Sequence, residues 1–432
     1  MSNQVTAKIV QHLGQVRLKL LAGESNKVIA NIPGGWLREM HASNFDPATV
    51  QKIVPCSSDG KLTLTRDAGA PNYGKLSSCE ILNNDVIAAW SDGTRLKYPL
   101  QDLVLETKRQ LRHNLSPFEE YVADAESNTD GYNGKILWSG LNADDLRTPA
   151  LSMTFSDILN GGNREALEKL YKYGILLVKD TPIDSSPEDQ SNRAALEKLT
   201  TNILGYGPRQ TLYGTIWSTS KSVNVDEGAS TADSAYTADP IALHTDMTYL
   251  RDHAGLQIFC MTSQPPSGGE SIFADGFAVG EALRKINPEA FEVLSTVRRR
   301  YRCIDHARGW HLQAIDPIIS CTDDVITSIR HNNLDRLPDV PTDTVLEKYR
   351  SPEIFHEKLY EADKAWNMLL DSDDMRLVIR LELGEMVILA NQRCLHGRQT
   401  FMSSEKYPRT LTGAYVGQDD LESRMRECGI FI

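Results

Sequence analysis

The stretch Ile241-Ala242-Leu243-His244-Thr245-Asp246, taken with His396 and Arg409 further along, decides how this chain is expected to fold and which chemistry it is built for. Ile241-Ala242-Leu243 has the apolar texture of a strand running into His244. A His and an Asp two residues apart on extended backbone point to the same side, so both can reach one metal. Two imidazoles and one carboxylate are what Fe(II) needs if the protein is to hold one face of an octahedron and leave three positions for co-substrate and dioxygen. His396 supplies the second imidazole from a distant strand, delivered by Met386-Val387-Ile388-Leu389 and the segment from Asn391 to Gly397. Gly255-Leu256-Gln257-Ile258-Phe259 reads as the neighbour of the strand that ends at His244. Arg409, a short hairpin beyond His396, carries the planar fork that pairs bidentately with a carboxylate, here the distal one of 2-oxoglutarate. His-x-Asp alone arises by chance; four such residues at strand ends in this order carry the metal reading.

At 432 residues the chain exceeds one ordinary domain, so two are expected, and 41% hydrophobic residues supply a sizeable core. No stretch approaches the roughly 18 apolar residues needed to span a bilayer, so no membrane partner is expected. Met1-Ser2-Asn3-Gln4 opens neither a signal peptide's apolar region nor an Arg-rich transit pattern. The cytoplasm is therefore the expected compartment, with a short organellar signal left open. A formal charge of −12 argues against a nucleic-acid partner. It says little about a cationic small molecule, whose local field depends on a handful of pocket residues. Seven cysteines with no Cys-x-x-Cys pair write neither a disulfide framework nor a zinc cluster, and they read as reduced thiols. Cys394 is the one close to the metal motif; its plainer reading is a small buried apolar residue on the alternate face of the strand.

Residues 1–110 have the texture of a small β-rich domain, with Val16-Arg17-Leu18-Lys19-Leu20, Leu62-Thr63-Leu64 and Val86-Ile87-Ala88-Ala89-Trp90 separated by turn residues. The segment 111–134, polar from Asn128 onward, reads as a linker. Residues 135–432 form the second domain. There Arg164 to Tyr171 has helical spacing, Tyr173-Gly174-Ile175-Leu176-Leu177-Val178 reads as a buried strand, and further helices are expected over Ala278 to Ile286 and Ile354 to Leu369. The expected class is mainly β with flanking helices, its antiparallel strands folded into a barrel of two sheets.

From roughly Ile136 onward, Leu243-His244-Thr245-Asp246, Gly268-Gly269-Glu270-Ser271, Asp275-Gly276-Phe277 and Leu395-His396-Gly397-Arg398 occur in that order. Together they resemble the motifs of the 2-oxoglutarate-dependent dioxygenases that include trimethyllysine and γ-butyrobetaine dioxygenases. Trp36-Leu37-Arg38 and Trp90-Ser91-Asp92-Gly93 resemble that family's N-terminal module. The resemblance implies a double-stranded β-helix (jelly roll) behind a small β-rich domain, and a homodimer. It also implies Fe(II) on His244, Asp246 and His396, 2-oxoglutarate on Arg409 with dioxygen as co-substrate, and a quaternary ammonium substrate. Such a cation makes no conventional hydrogen bond and is held by aromatic faces, at about 0.5 to 2 kcal/mol per contact. Tyr213, Trp217, Tyr236 and Tyr415 fall where the family carries a cage aromatic. Asp233, Asn332 and Asn333 are the polar candidates for the other end. An acid such as Asp233 would attract the α-ammonium of trimethyllysine and repel the carboxylate of γ-butyrobetaine. Tyr213 to Trp217 and Ser423-Arg424-Met425-Arg426 look as much like the butyrobetaine branch, which stays open as the carnitine-forming alternative.

Two other classes remain beside this one. A silent binding protein on the same fold would form no succinate, and a metal hydrolase would work without 2-oxoglutarate and would need a proton-transferring residue that the sequence does not place. Some members of the resembled family hold a structural zinc with three cysteines after Trp-Leu-Arg and a histidine after Asp-Gly. Here those places read Glu39-Met40-His41-Ala42-Ser43-Asn44-Phe45-Asp46 and Thr94, and a lone His41 cannot replace four ligands. Metal analysis of iron-reconstituted protein is accordingly expected to show no stoichiometric zinc; one zinc per chain that survives chelation would overturn this.

Overall fold

The computed structural model describes residues 5–12, 15–22, 27–52, 75–104, 132, 134–184, 189–219, 237–306, 308–322, 324–402 and 409–430. The chain divides into two compact units, one within Met1–Asn133 and one over Gly134–Ile430. Most of the expected linker, residues 105–131, and the run Leu62-Thr63-Leu64 lie outside the described residues.

Among the described residues, the first unit has two three-stranded antiparallel sheets, β1 (Val5–His12), β2 (Gln15–Ala22) and β3 (Lys27–Pro33), and β4 (Leu76–Leu82), β5 (Asp85–Trp90) and β6 (Arg95–Pro99). Alternation along the strands puts Leu18, Leu20, Val86, Ala88 and Trp90 into one core, while Lys19, Ile87 and Ala89 between them are less buried. Asn83 and Asn84, both with positive φ, make the two-residue turn between β4 and β5. The two short motifs meet in space. Arg38 donates to the Asp92 carboxylate at 2.7 Å and to the Thr94 hydroxyl at 2.8 Å, and the Trp90 indole donates to the Gly34 carbonyl at 3.1 Å. His41 caps a short 3-10 turn and lies edge-on to Tyr98.

The second unit is built on two sheets. Six strands run in the order β7 (Ser152–Thr154), β8 (Ile175–Lys179), β19 (Met386–Ala390), β11 (Leu256–Ser263), β22 (Thr410–Val416), β9 (Ile216–Ser218). Four run in the order β10 (Ile241–His244), β20 (Cys394–Arg398), β13 (Ser271–Asp275), β18 (Leu377–Ile379). Every pairing in these sheets is antiparallel except β7 with β8. Among the described residues, small two-stranded ribbons accompany them: β12 (Ser267–Gly268) with β21 (Phe401–Met402), β14 (Arg299–Asp305) with β15 (Trp310–Asp316), and β16 (Ile319–Thr322) with β17 (Val325–Ile329). Phe259, Met261 and Leu411 of the larger sheet and Phe273, Leu377 and Ile379 of the smaller share one buried cluster. Strands covered on both faces read as unbroken apolar runs, and Ile175 to Val178 and Met386 to Leu389 are completely buried. Helices Asn163–Tyr173, Gly276–Ile286 and Pro352–Leu370 flank the sheets.

Three sequence expectations need correction. Tyr173 belongs to the helix: Gly174, with φ of +71°, ends it in a left-handed cap, so the strand begins only at Ile175. β11 is not the neighbour of β10, because residues 245–255 carry the chain from the smaller sheet to the larger, where β11 pairs with β19 and β22. Arg409 does not lie a hairpin away from His396. β20 runs in the smaller sheet, β21 pairs with β12, and β22 begins in the larger sheet just past Arg409. In a two-sheet fold consecutive strands can sit on opposite layers, and sequence adjacency does not report that.

Asp275 at the end of β13 accepts from Arg393 Nε at 3.1 Å and Nη2 at 2.6 Å, and both side chains are buried. The same guanidinium donates to the carbonyls of Lys172 and Ile136, and the carboxylate also receives the Trp138 and Phe277 backbone amides. Asp275 stands opposite Cys394, so this knot holds the entry to the strand that carries His396. Removing one partner leaves a buried charge uncompensated. Asp275→Ala is therefore expected to cost about 3–5 kcal/mol in equilibrium urea unfolding; a loss below about 1 kcal/mol would remove the pair from that role.

Candidate metal centre and its cavity

Antiparallel register places His244, the last residue of β10, opposite His396 of β20, with the ring centroids 4.2 Å apart. The strand ends there, and the pleat does not carry Asp246. It stands in the following turn, where its backbone amide donates to Asn391 Oδ1 at 2.8 Å while Asn391 Nδ2 donates to the Asp246 and Ala254 carbonyls at 3.1 and 3.0 Å. Met247 takes a left-handed φ of +59°, a conformation disfavoured for a side chain of its size, as the chain turns away. His244 Nδ1 lies 2.8 Å from the Ala242 carbonyl. A proton there leaves the Nε2 lone pair facing inward, as metal-ligating histidines require.

His244 Nε2 is 3.3 Å from Asp246 Oδ1, and His396 Nε2 is 3.8 Å from Asp246 Oδ2. Among the described residues, these three form the group of His, Cys, Asp and Glu side chains able to hold a metal, their ligand atoms lying within 4.8 Å of one another. Burial, then the neighbouring His244, push His396 down to about 3. Burial disfavours charge on Asp246 as well, but the two imidazoles and the Tyr415 hydroxyl outweigh it and hold the carboxyl below its usual range. Burial also opposes charging His244, and the bond and charge of Asp246 overcome it to raise that imidazole. An ionised carboxylate with two imidazoles, all aimed at one point beside open space, is a donor set that fits a divalent cation of borderline softness. Cys394 does not join it. Its thiol is raised by burial and packs in the core between the sheets, on the same side of β20 as His396, since residues two apart on a strand share a face.

The triad opens into a cavity of about 470 Å³. β22 supplies one wall with alternate residues: Leu411 and Tyr415 line the cavity, Arg409 precedes the strand and lines it too, and Gly413 lies under the Trp217 ring. Arg409 Nε donates to the Gly269 carbonyl at 3.2 Å. A Cβ at Gly269 would come within 2.9 Å of Arg409 Cδ, and Gly269 has φ of +75°, so glycine is required where the arginine stem passes. Burial and then the charge of Arg398 push Arg409 down to about 9, which a bound carboxylate would reverse. Arg398 itself is engaged by the Thr237 and Asp239 carbonyls, both at 2.8 Å.

The structure gathers Tyr213, Trp217, Tyr415 and Asn332 around this cavity. Trp217 and Tyr415 lie 6.0 Å apart at 35°. Asp233 and Tyr236 lie outside the described residues. Asn333 is not brought to the cavity. It is exposed, because Asn332 Oδ1 accepts from the Leu334 amide in a tight turn that sends the next side chain outward.

Sequence reasoning passed over Asp335, which lines the cavity and accepts from the Thr248 hydroxyl at 2.7 Å and Asn332 Nδ2 at 3.2 Å. It also passed over Asn391 and Gln257. The signal for Gln257 was a polar residue inside an apolar strand, which a fully buried position tolerates only with a partner.

Residues 144–415 match the family model of the taurine catabolism dioxygenase TauD, TfdA family. Over 368 residues the chain is 30% identical to trimethyllysine dioxygenase of Meyerozyma guilliermondii, covering 81% of this chain and 83% of that one. It is 26% identical to mouse mitochondrial trimethyllysine dioxygenase over 68% of this chain, and the match spans 64% of the mouse protein's length. Human γ-butyrobetaine dioxygenase is 29% identical over 50% of this chain and 52% of its own.

A Cβ on Gly413 would stand 2.3 Å from Trp217 Cζ2 and 2.4 Å from the Ile258 carbonyl oxygen. Gly413→Ala is expected to cost about 1–3 kcal/mol in denaturant unfolding through overpacking. Trp217→Leu in the same chain should return the indole's share of that loss and not the share due to the Ile258 carbonyl, a coupling read from the double-mutant cycle. Additive effects would mean that the indole does not rest on Gly413.

Proposed function

The chain belongs to the TauD, TfdA dioxygenase family, and we propose that it is an Fe(II)- and 2-oxoglutarate-dependent dioxygenase that hydroxylates N6,N6,N6-trimethyllysine. The observation that carries this reading is the convergence on one cavity of the His244, Asp246 and His396 donors, a buried guanidinium at Arg409, and an aromatic wall of Tyr213, Trp217 and Tyr415. The relatives named trimethyllysine dioxygenase, one matched over four-fifths of this chain, support the same substrate. We read the two-sheet unit as a double-stranded β-helix with a small β domain before it.

In this reading His244, Asp246 and His396 would hold the iron. Bound iron supplies the redox chemistry by which one oxygen atom enters the substrate C–H bond and the other enters 2-oxoglutarate, giving succinate and carbon dioxide. The protein's own residues do the rest by geometry. Arg409 pairs with the distal carboxylate of 2-oxoglutarate, and its planar fork sets the co-substrate's direction. Tyr213, Trp217 and Tyr415 offer ring faces to the trimethylammonium, at about 0.5–2 kcal/mol per contact. Asp335 adds a negative charge that complements a cation and disfavours an anionic competitor. Apolar walls at Ile241, Met247, Phe259 and Leu411 reduce water access. The carbon that reacts is the one these contacts bring closest to the metal position.

Succinate release measured with trimethyllysine, γ-butyrobetaine and other quaternary amines tests the proposal. Trimethyllysine is expected to give the highest kcat/KM, and a preference for γ-butyrobetaine would move the chain to that branch. Alanine at His244, Asp246 or His396 should abolish turnover, and near-normal product from any of them would sink the triad. Arg409→Lys keeps the charge but loses the fork, so the KM for 2-oxoglutarate should rise at least tenfold while iron affinity holds.

A further inference from the structure

Tyr415 has so far served as a ring, yet its hydroxyl makes a separate contact: it donates to Asp246 Oδ2 at 2.7 Å. Gln257 Nε2 donates to the same oxygen and lies 3.1 Å from His396 Nε2. The convergence is set by the sheet. Gln257 and Tyr415 are direct partners across β11 and β22, so their side chains leave the sheet on the same side. Asp246 arrives from the opposite layer, beyond β10. Its other oxygen, Oδ1, is the one 3.3 Å from His244 Nε2.

We propose that Tyr415 and Gln257 are positioning residues that together hold Oδ2 and leave Oδ1 as the metal donor, so that the Tyr415 hydroxyl ties the aromatic wall to the metal centre. This rests on the triad reading given above. A carboxylate with both oxygens open can bind a cation through one or both and can swing between the two. Two donors on Oδ2 remove that freedom, and hydrogen bonds to metal-ligating carboxylates change metal affinity by about 10- to 100-fold. One tyrosine thereby carries two separable duties, the ring toward the cation and the hydroxyl toward the ligand.

Tyr415→Phe separates them, since it keeps the ring and removes the hydroxyl; Gln257→Leu removes the second donor without touching the aromatic wall. The full-length protein is titrated with Co(II), followed by its visible ligand-field absorption, and with Fe(II), followed by competition. Each variant is expected to bind both metals about tenfold more weakly and to show a changed Co(II) spectrum. For Tyr415→Phe the KM for trimethyllysine should stay within about threefold, whereas Tyr415→Leu should raise that KM as well as weaken metal. Wild-type metal affinity and spectrum in both Tyr415→Phe and Gln257→Leu, alongside loss of metal in His244→Ala, would overturn the positioning role and leave the triad standing. Failure of the wild-type chain to bind either metal would overturn both.

Discussion

The chemistry of this molecule depends on one antiparallel pairing, that of His244 with His396 across β10 and β20. Two half-buried imidazoles 4.2 Å apart are an unfavourable arrangement, and His244 adds to the burial that lowers His396's tendency to take a proton. They persist because backbone register puts them there and because Asp246 faces both nitrogens. The register is held on the far side of β20 by β13, where Phe273 stands opposite His396 and Asp275 opposite Cys394. The Arg393–Asp275 knot thus acts at the foot of the same strand that presents a metal donor.

The carboxylate is supplied by other means. Beyond His244 the backbone leaves the strand, and the Asn391 side chain replaces the lost ladder by bonding the Asp246 amide and carbonyl. Asn391 follows β19 on the opposing layer, so the turn is tied across the sandwich and not within its own sheet. The strained φ at Met247 sits next to that clamp. A local conformation of this kind survives where surrounding bonds over-determine it.

The cavity takes its order from β22. A strand shows every second residue to one side, at a rise of about 6.8 Å per pair. Arg409, Leu411, Gly413 and Tyr415 are therefore presented in sequence along one wall, as a guanidinium, an apolar spacer, a gap that the Trp217 ring fills, and a phenol beside Asp246. Co-substrate contact, substrate contact and support of a metal donor come from one stretch of extended backbone. Rigidity of that strand is worth more here than any single contact, because catalysis of this type depends on which C–H bond is nearest.

The sequence by itself determined the parts whose information is local. The His-x-Asp motif, the apolar runs of the buried strands and the helices near 163–173, 276–286 and 352–370 were legible, because periodicity and residue type act over a few positions, whereas the aromatic residues at 213, 217 and 415 were picked out by resemblance to a family. What only the tertiary structure decided was the layer in which each strand lies. Apolar runs look alike on either sheet, so the sequence could not place β11 opposite β10's layer or Arg409 at the start of the larger sheet. It could not pair Gln257 with Tyr415, bring Asn391 to the Asp246 backbone, or turn Asn332 inward and Asn333 out. Those assignments depend on contacts between residues far apart in the chain, and a partner for a buried polar group is chosen by the packed interior that encloses it.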